Sequence, residues 1–131
     1  PLSGAVIVST PQDLALIDAR KGLNMFRKVN VPVLGIVENM SYFICDSCQA
    51  RHEIFGHGGA RAEAERLAVP FLGELPLDPE IRRRSDGGEP IVAAAPDGPH
   101  AQAYRAMAER VWAAVSAGEG QRKTPKIIVE S

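Results

Sequence analysis

The chain has 131 residues, of which 45% are hydrophobic and 24% charged, and its formal net charge is −1. This length suits one domain with a single core, and the near-neutral charge gives no electrostatic footprint for nucleic acid or an anionic membrane. No apolar run approaches the roughly 20 residues that span a bilayer, and the first residues lack the features of a signal peptide. The composition therefore predicts a globular, cytoplasmic protein that binds neither nucleic acid nor membrane.

The first third of the chain predicts a strand–helix–strand unit. Residues 5–8 and 33–37 are apolar runs rich in β-branched side chains, which is typical of strands buried in a parallel sheet. Between them we expect a helix from about residue 11 to residue 28, with Thr10 as N-cap, Pro11 at the first helical position and Asp13 completing a capping box. Its apolar face is formed by Leu16, Ala19, Leu23 and Phe26.

The rest of the chain alternates loops with short elements. In order, we expect a loop at 49–59, a helix at 60–68, a strand at 71–75, a turn at 76–79, a solvated basic segment at 81–84, an extended piece at 91–92 and a last helix from 97–99 onward. The fold class is therefore α/β, a parallel sheet with flanking helices, and three strands are few for such a core. Residues 1–117 form the predicted domain, and 118–131 form a polar tail that we expect to be disordered.

The two cysteines of the chain, Cys45 and Cys48, follow the second strand as a C-x-x-C pair. Ligands of open α/β sheets bind at the carboxyl ends of the strands, so the pair lies where chemistry is expected. One C-x-x-C supplies half of a four-coordinate site. A second copy of the chain completes it for a [4Fe–4S] cluster or zinc, or His52 and His57 complete a zinc-holding interaction module. A redox dithiol and a pair of idle thiols also remain open, although no helix pattern follows the cysteines to activate them.

Two other features at this edge have alternative interpretations. Asn39 ends the second strand, where its amide either reads the edge of a nucleotide base or bonds its own backbone. The Gly-His-Gly-Gly sequence at 56–59 is similar to a phosphate-binding loop, but a turn that starts a helix is the favoured interpretation. No G-x-x-x-x-G-K-[S/T] sequence occurs in the chain.

Five segments together resemble the Mrp-type iron–sulfur cluster carrier ATPases, a deviant P-loop family similar to MinD and the nitrogenase iron protein. They match the family in order and spacing, over about residues 4–115, and they lie at 10–22, 32–48, 54–59, 70–79 and 85–92. The resemblance implies an ATP-dependent homodimer that holds a [4Fe–4S] cluster between two C-x-x-C pairs and delivers it to acceptor apoproteins. It also implies that Cys45 and Cys48 are the cluster ligands, while their spacing leaves zinc in place of the cluster open.

The same resemblance implies which residues contact nucleotide, and it shows one difference between this chain and the family. Asn39 would contact adenine, and the turn formed by Pro76, Leu77 and Asp78 would line the base. The Walker A loop and the Mg²⁺-binding segment of the family precede the strand with which this chain begins. We therefore expect a C-terminal portion that binds nucleotide poorly and does not hydrolyse it. Because the sheet edge at residues 5–8 is left exposed, we also expect dimerisation or an exchange of segments between copies.

Overall fold

The structure is a computed structural model that describes residues 2–118. Its strands are β1 (Ala5–Ser9), β2 (Val33–Glu38), β3 (Phe43–Ile44), β4 (Arg51–His52) and β5 (Phe71–Glu74). Its helices are α1 (Asp13–Lys28), α2 (Gly59–Arg66), α3 (Pro79–Asp86), α4 (Ile91–Ala94) and α5 (Pro99–Ser116). None of these helices combines the length and apolar character that crossing a membrane requires.

A three-stranded parallel sheet with the order β1-β2-β5 forms the centre of the fold. The middle strand, β2, is almost entirely buried, as its unbroken apolar sequence predicts. β1 lies at one edge, where the Val8 residue is 57% exposed. Because all three strands run in the same direction, their carboxyl ends meet at one edge of the sheet.

Helices cover both faces of the sheet. Ile36 packs into a cluster with residues of α1 and α2, whereas its neighbour Val37 packs with Leu72, Leu75 and side chains of α5. Successive residues of a strand point to opposite faces, so these two clusters lie on opposite sides of β2. The predicted α/β architecture, a parallel sheet with flanking helices, is confirmed.

The start of α1 differs from the prediction. Gln12, in an extended conformation, is the N-cap residue and makes no side-chain capping bond, so Thr10 is not the cap and Pro11 is not helical. The non-helical segment before Asp13 packs against α2. A Cβ atom on Gly59 would lie 2.3 Å from the Pro11 carbonyl oxygen, so the segment after β1 crosses close to the first residue of that helix.

Two further local predictions were wrong and one was incomplete. The expected loop at 49–59 contains β4, which pairs with β3 in a two-residue antiparallel hairpin. The expected basic segment is exposed at Arg82 and Arg83, as predicted, but it forms helix α3, which was not predicted. Asp78 caps this helix by accepting from the Glu80 N–H at 2.7 Å, and Glu80 stabilises it through Arg83 and Arg84. The expected extended piece at 91–92 is the first turn of α4. In the predicted tail, residues 119–131 lie outside the described part of the chain.

Candidate functional site

The carboxyl end of β2 carries a buried charged residue. Glu38 is 0% exposed, and its Oε1 accepts hydrogen bonds from the Ser41 hydroxyl at 2.7 Å and the Gly58 N–H at 3.1 Å. Its Oε2 accepts from the Ala60 N–H at 2.8 Å. A carboxylate at a helix N-terminus satisfies free N–H groups and interacts favourably with the helix dipole. The Gly-His-Gly-Gly segment therefore binds the carboxylate of Glu38 and starts α2, in agreement with the favoured interpretation.

The C-x-x-C pair lies in the turn of the β3–β4 hairpin. Cys45 N–H donates to the Ala50 carbonyl at 2.9 Å, and Gln49 N–H donates to the Cys45 carbonyl at 2.7 Å. Gln49 has a φ of 61°, and this left-handed residue lets the chain reverse. Both cysteines are free thiols, Cys45 partly buried and Cys48 exposed. The turn thus presents two sulfur atoms from one short, hydrogen-bonded segment.

The surroundings of Cys45 favour its thiolate. The pKa of Cys45 is lowered, first by the backbone N–H of Cys48, then by the backbone N–H of Ser47 and the Cys48 thiol. These donors stabilise the negative sulfur more than the neutral one. Since the thiolate is the form of cysteine that ligates metals, the turn is suited to bind a soft metal centre.

The base of the hairpin is attached to the sheet edge. The Arg51 guanidinium lies 4.0 Å from the centroid of the Tyr42 ring, and its Nη2 lies 3.6 Å from Glu74 Oε2. The Leu77 N–H donates to the Tyr42 carbonyl at 2.7 Å. These contacts fix the cysteine turn relative to the ends of β2 and β5.

The histidines of the zinc-module hypothesis do not accompany the cysteines. Among residues 2–118, neither His52 nor His57 shares a cluster of three or more candidate ligands with a cysteine. The His52 ring lies 6.4 Å from the Phe43 ring, centroid to centroid, and His57 lies beside Glu38 and Glu74. The structure therefore does not favour a zinc module made of two cysteines and these two histidines.

The residues expected to contact nucleotide lie at one edge of the sheet. The Leu75 N–H donates to the Glu38 carbonyl at 2.8 Å, and the Ser41 N–H donates to the Leu75 carbonyl at 3.0 Å, which places Leu75 beside the segment that contains Asn39. The Asn39 Oδ1 accepts from the Met40 N–H at 3.0 Å. The side chain therefore makes the backbone bond that we considered as its alternative role.

The turn after β5 borders a cavity of about 300 Å³. Leu77 and Asp78 line this cavity with Phe43, Ile54, Pro79 and Arg82, and Asn39 is not among the lining residues. Asp78 also has two structural partners, the Glu80 N–H and the His100 Nε2, the latter 3.0 Å from its Oδ2. The pairing of His100 with Asp78 joins residues 22 positions apart, so no local sequence pattern indicates it.

Comparison with solved structures defines the class of protein. The structure is similar to MinD complexed with Mg-ADP from Pyrococcus horikoshii, with a TM-score of 0.68 and 25% identity over 88% of this chain and 44% of that one. It is also similar to a nucleotide-binding protein from Archaeoglobus fulgidus in complex with ADP, in which cobalt was found, with a TM-score of 0.57 and 42% identity over 66% of this chain and 35% of that one. The fold is that of a MinD-like P-loop NTPase, and this chain covers only part of the length of those solved structures.

The sequence narrows this class to one family. Residues 1–112 match the ParA family model described as the NUBPL iron-transfer P-loop NTPase, and the chain belongs to that family. It is 55% identical over 111 residues to the iron-sulfur cluster transfer protein NUBPL of Mus musculus, a match that covers 85% of this chain and 35% of the relative. It is 52% identical over 108 residues to the iron-sulfur cluster carrier protein of Pseudomonas fragi, covering 82% of this chain and 38% of the relative. The chain thus spans between a third and two fifths of the length of these curated relatives.

Proposed function

We propose that this chain is part of an iron–sulfur cluster carrier, in which Cys45 and Cys48 hold a [4Fe–4S] cluster as cargo for acceptor apoproteins. The observation that carries the proposal is the hairpin turn, which presents two free thiols, one of them exposed. The names of the relatives, which are iron–sulfur cluster transfer and carrier proteins, support it.

The number of ligands supports a homodimer. Iron–sulfur clusters of this type are held by four thiolates, and one chain supplies two. Cys48 is exposed, so a second copy can bring its own pair to the same cluster without unfolding the hairpin. In this arrangement the cluster lies between two identical turns and is accessible to an acceptor protein.

The nucleotide belongs to the same proposal. Asn39, Pro76, Leu77 and Asp78 follow the carboxyl ends of β2 and β5, where open α/β sheets bind their ligands, and they would contact the base. The 131 residues contain no P-loop sequence to surround the phosphates. We therefore assign ATP-dependent activity to the full length of the carrier, and expect this chain alone to bind nucleotide weakly and to hydrolyse none.

Anaerobic reconstitution with iron and sulfide tests the cargo. The expected product is a brown dimer with about two irons per chain, since four irons are shared by two copies. Iron and sulfide analysis gives the stoichiometry, and analytical ultracentrifugation with and without the cluster gives the oligomeric state.

Two variants make this experiment specific. Cys45→Ala is expected to abolish iron binding and the cluster-dependent dimer, because it removes one thiolate from each copy. Ser47→Ala is the matched control, because Ser47 lies between the cysteines but carries no sulfur. A cluster that forms equally well in Cys45→Ala, or a chain that takes up zinc and no iron, would refute the proposal.

A further inference from the structure

A second group of candidate ligands lies at the carboxyl edge of the sheet, apart from the cysteine turn. One ligand atom from each of Glu38, His57 and Glu74 lies within 4.8 Å of the other two. The three residues come from three places in the chain, the last residue of β2, the loop before α2 and the last residue of β5. The fold, and not a local sequence motif, therefore brings them together.

The members of this group are too far apart for direct hydrogen bonds, which are about 2.7–3.2 Å long. His57 Nδ1 lies 3.8 Å from Glu38 Oε1 and 3.4 Å from Ser41 Oγ, whereas Nε2, the opposite ring nitrogen, lies 3.6 Å from Glu74 Oε1. Two ligand atoms that share a metal at about 2.0–2.2 Å are about 3.3–3.6 Å apart. One imidazole ligates one ion through one nitrogen, so the site requires the His57 ring, whose side chain is 35% exposed, to turn until one nitrogen faces both carboxylates.

Both carboxylates keep bonding capacity for a cation. Glu38 accepts three hydrogen bonds, two at Oε1 and one at Oε2, so of about four acceptor positions the one left for a cation is on Oε2. The carboxylate of Glu74 has ion-pair contacts with Arg51 at 3.6 Å and Arg61 at 3.8 Å, both beyond hydrogen-bond distance. Within residues 2–118, neither guanidinium lies within 4.0 Å of the Glu38 carboxylate, whereas His57 Nδ1 lies 3.8 Å from its Oε1.

We propose that Glu38, His57 and Glu74 form a binding site for one divalent transition-metal ion, of the zinc or iron(II) class. One imidazole and two carboxylates are a donor set typical of these ions, whereas magnesium and calcium prefer oxygen alone. The site is independent of the cysteine cargo site and of the proposed carrier function. An ion held there would join the ends of β2 and β5 to the loop that starts α2.

Metal titration of a chain without cysteines tests this site. In a Cys45→Ser/Cys48→Ser double variant, freed of metal with a chelator, we expect one Zn²⁺ per chain by isothermal titration calorimetry. Cobalt(II), used as a coloured substitute, is expected to give visible ligand-field bands without the sulfur-to-metal charge-transfer band that thiolates produce. Binding in this variant cannot come from the cysteine pair.

Further substitutions in the same background assign the ligands. His57→Ala and Glu74→Gln are each expected to weaken Zn²⁺ and Co²⁺ binding about tenfold or more, since each removes one donor. His100→Ala is the matched control, because His100 also pairs with a carboxylate, that of Asp78, but lies outside the group. Circular dichroism of each variant confirms the fold. The proposal is overturned if the double variant binds no metal, or if binding is equally strong after His57→Ala and Glu74→Gln.

Discussion

The buried carboxylate of Glu38 provides the sharpest test of how this sheet edge is held together. Glu38→Gln keeps the shape of the side chain and changes one oxygen into an N–H donor. With the remaining oxygen at the Oε1 position, the bonds from Ser41 and Gly58 survive. The new amide nitrogen then faces the Ala60 N–H, so two donors meet and one buried N–H loses its acceptor.

The expected loss of stability follows from these contacts. An unpaired buried N–H costs about 1–3 kcal/mol, and removal of a negative charge from a helix N-terminus costs about 0.3–1 kcal/mol. We therefore expect Glu38→Gln to lower the free energy of unfolding by about 1–4 kcal/mol. With a urea m-value of about 2 kcal/mol/M, the unfolding midpoint falls by about 0.5–2 M.

Urea unfolding followed by circular dichroism, in the presence of a chelator, measures this change. The chelator removes any contribution from metal binding to the native state. Glu53→Gln is the matched control, since that carboxylate is 46% exposed and makes only ion-pair contacts of 3.6–3.7 Å. The control is expected to change stability by less than about 0.5 kcal/mol. An equally small change for Glu38→Gln, with an unchanged m-value, would refute the argument that its carboxylate secures α2.

Three other substitutions test separate parts of the structure. Gly59→Ala should destabilise the chain by about 1–3 kcal/mol in urea unfolding, because its Cβ would lie 2.3 Å from a backbone oxygen, whereas Gly87→Ala, with 3.5 Å of clearance, should be nearly neutral. Bonds from two arginines lower the pKa of Glu63 from 4.5 to about 2, so its contribution to stability is present above about pH 4.5 and is lost as the pH falls towards 2. Glu63→Gln should therefore flatten the acid limb of a stability-against-pH curve, whereas Glu65→Gln, at an exposed position of the same helix, should leave that limb unchanged. Asp78→Ala should lower the free energy of unfolding by about 1–2 kcal/mol, measured by urea unfolding, because α3 loses its N-cap bond.

The parts of the fold with a clear local pattern could be predicted from the sequence. The apolar run of β2 and the spacing of Leu16, Ala19 and Leu23 each determine an element without reference to distant residues. The β3–β4 hairpin could not be found in this way, because two residue pairs give no measurable alternation. Helix α3 was not predicted, because a run of arginines indicates a solvated surface and not its secondary structure. The pairs of these arginines with Glu80 stabilise a helix on that surface.

In the candidate site, too, the residues in a local pattern could be predicted and those with distant contacts could not. Cys45 and Cys48 could be identified from their spacing alone, and the structure places both in one turn. The role of Glu38 could not be predicted from the sequence, because its hydrogen-bond partners at Gly58 and Ala60 lie 20 and 22 residues further along the chain. Only the folded chain brings that carboxylate to the start of α2.

The bond between the Leu77 N–H and the Tyr42 carbonyl has a mechanical consequence. Cys45 follows Tyr42 by three positions in the chain. One hydrogen bond and a few peptide units therefore connect the wall of the cavity to the cysteine turn. A ligand that displaces Leu77 must either break this hydrogen bond or move the base of the β3–β4 hairpin together with Leu77. The wall of the cavity and the base of the hairpin that carries Cys45 and Cys48 therefore share one hydrogen bond.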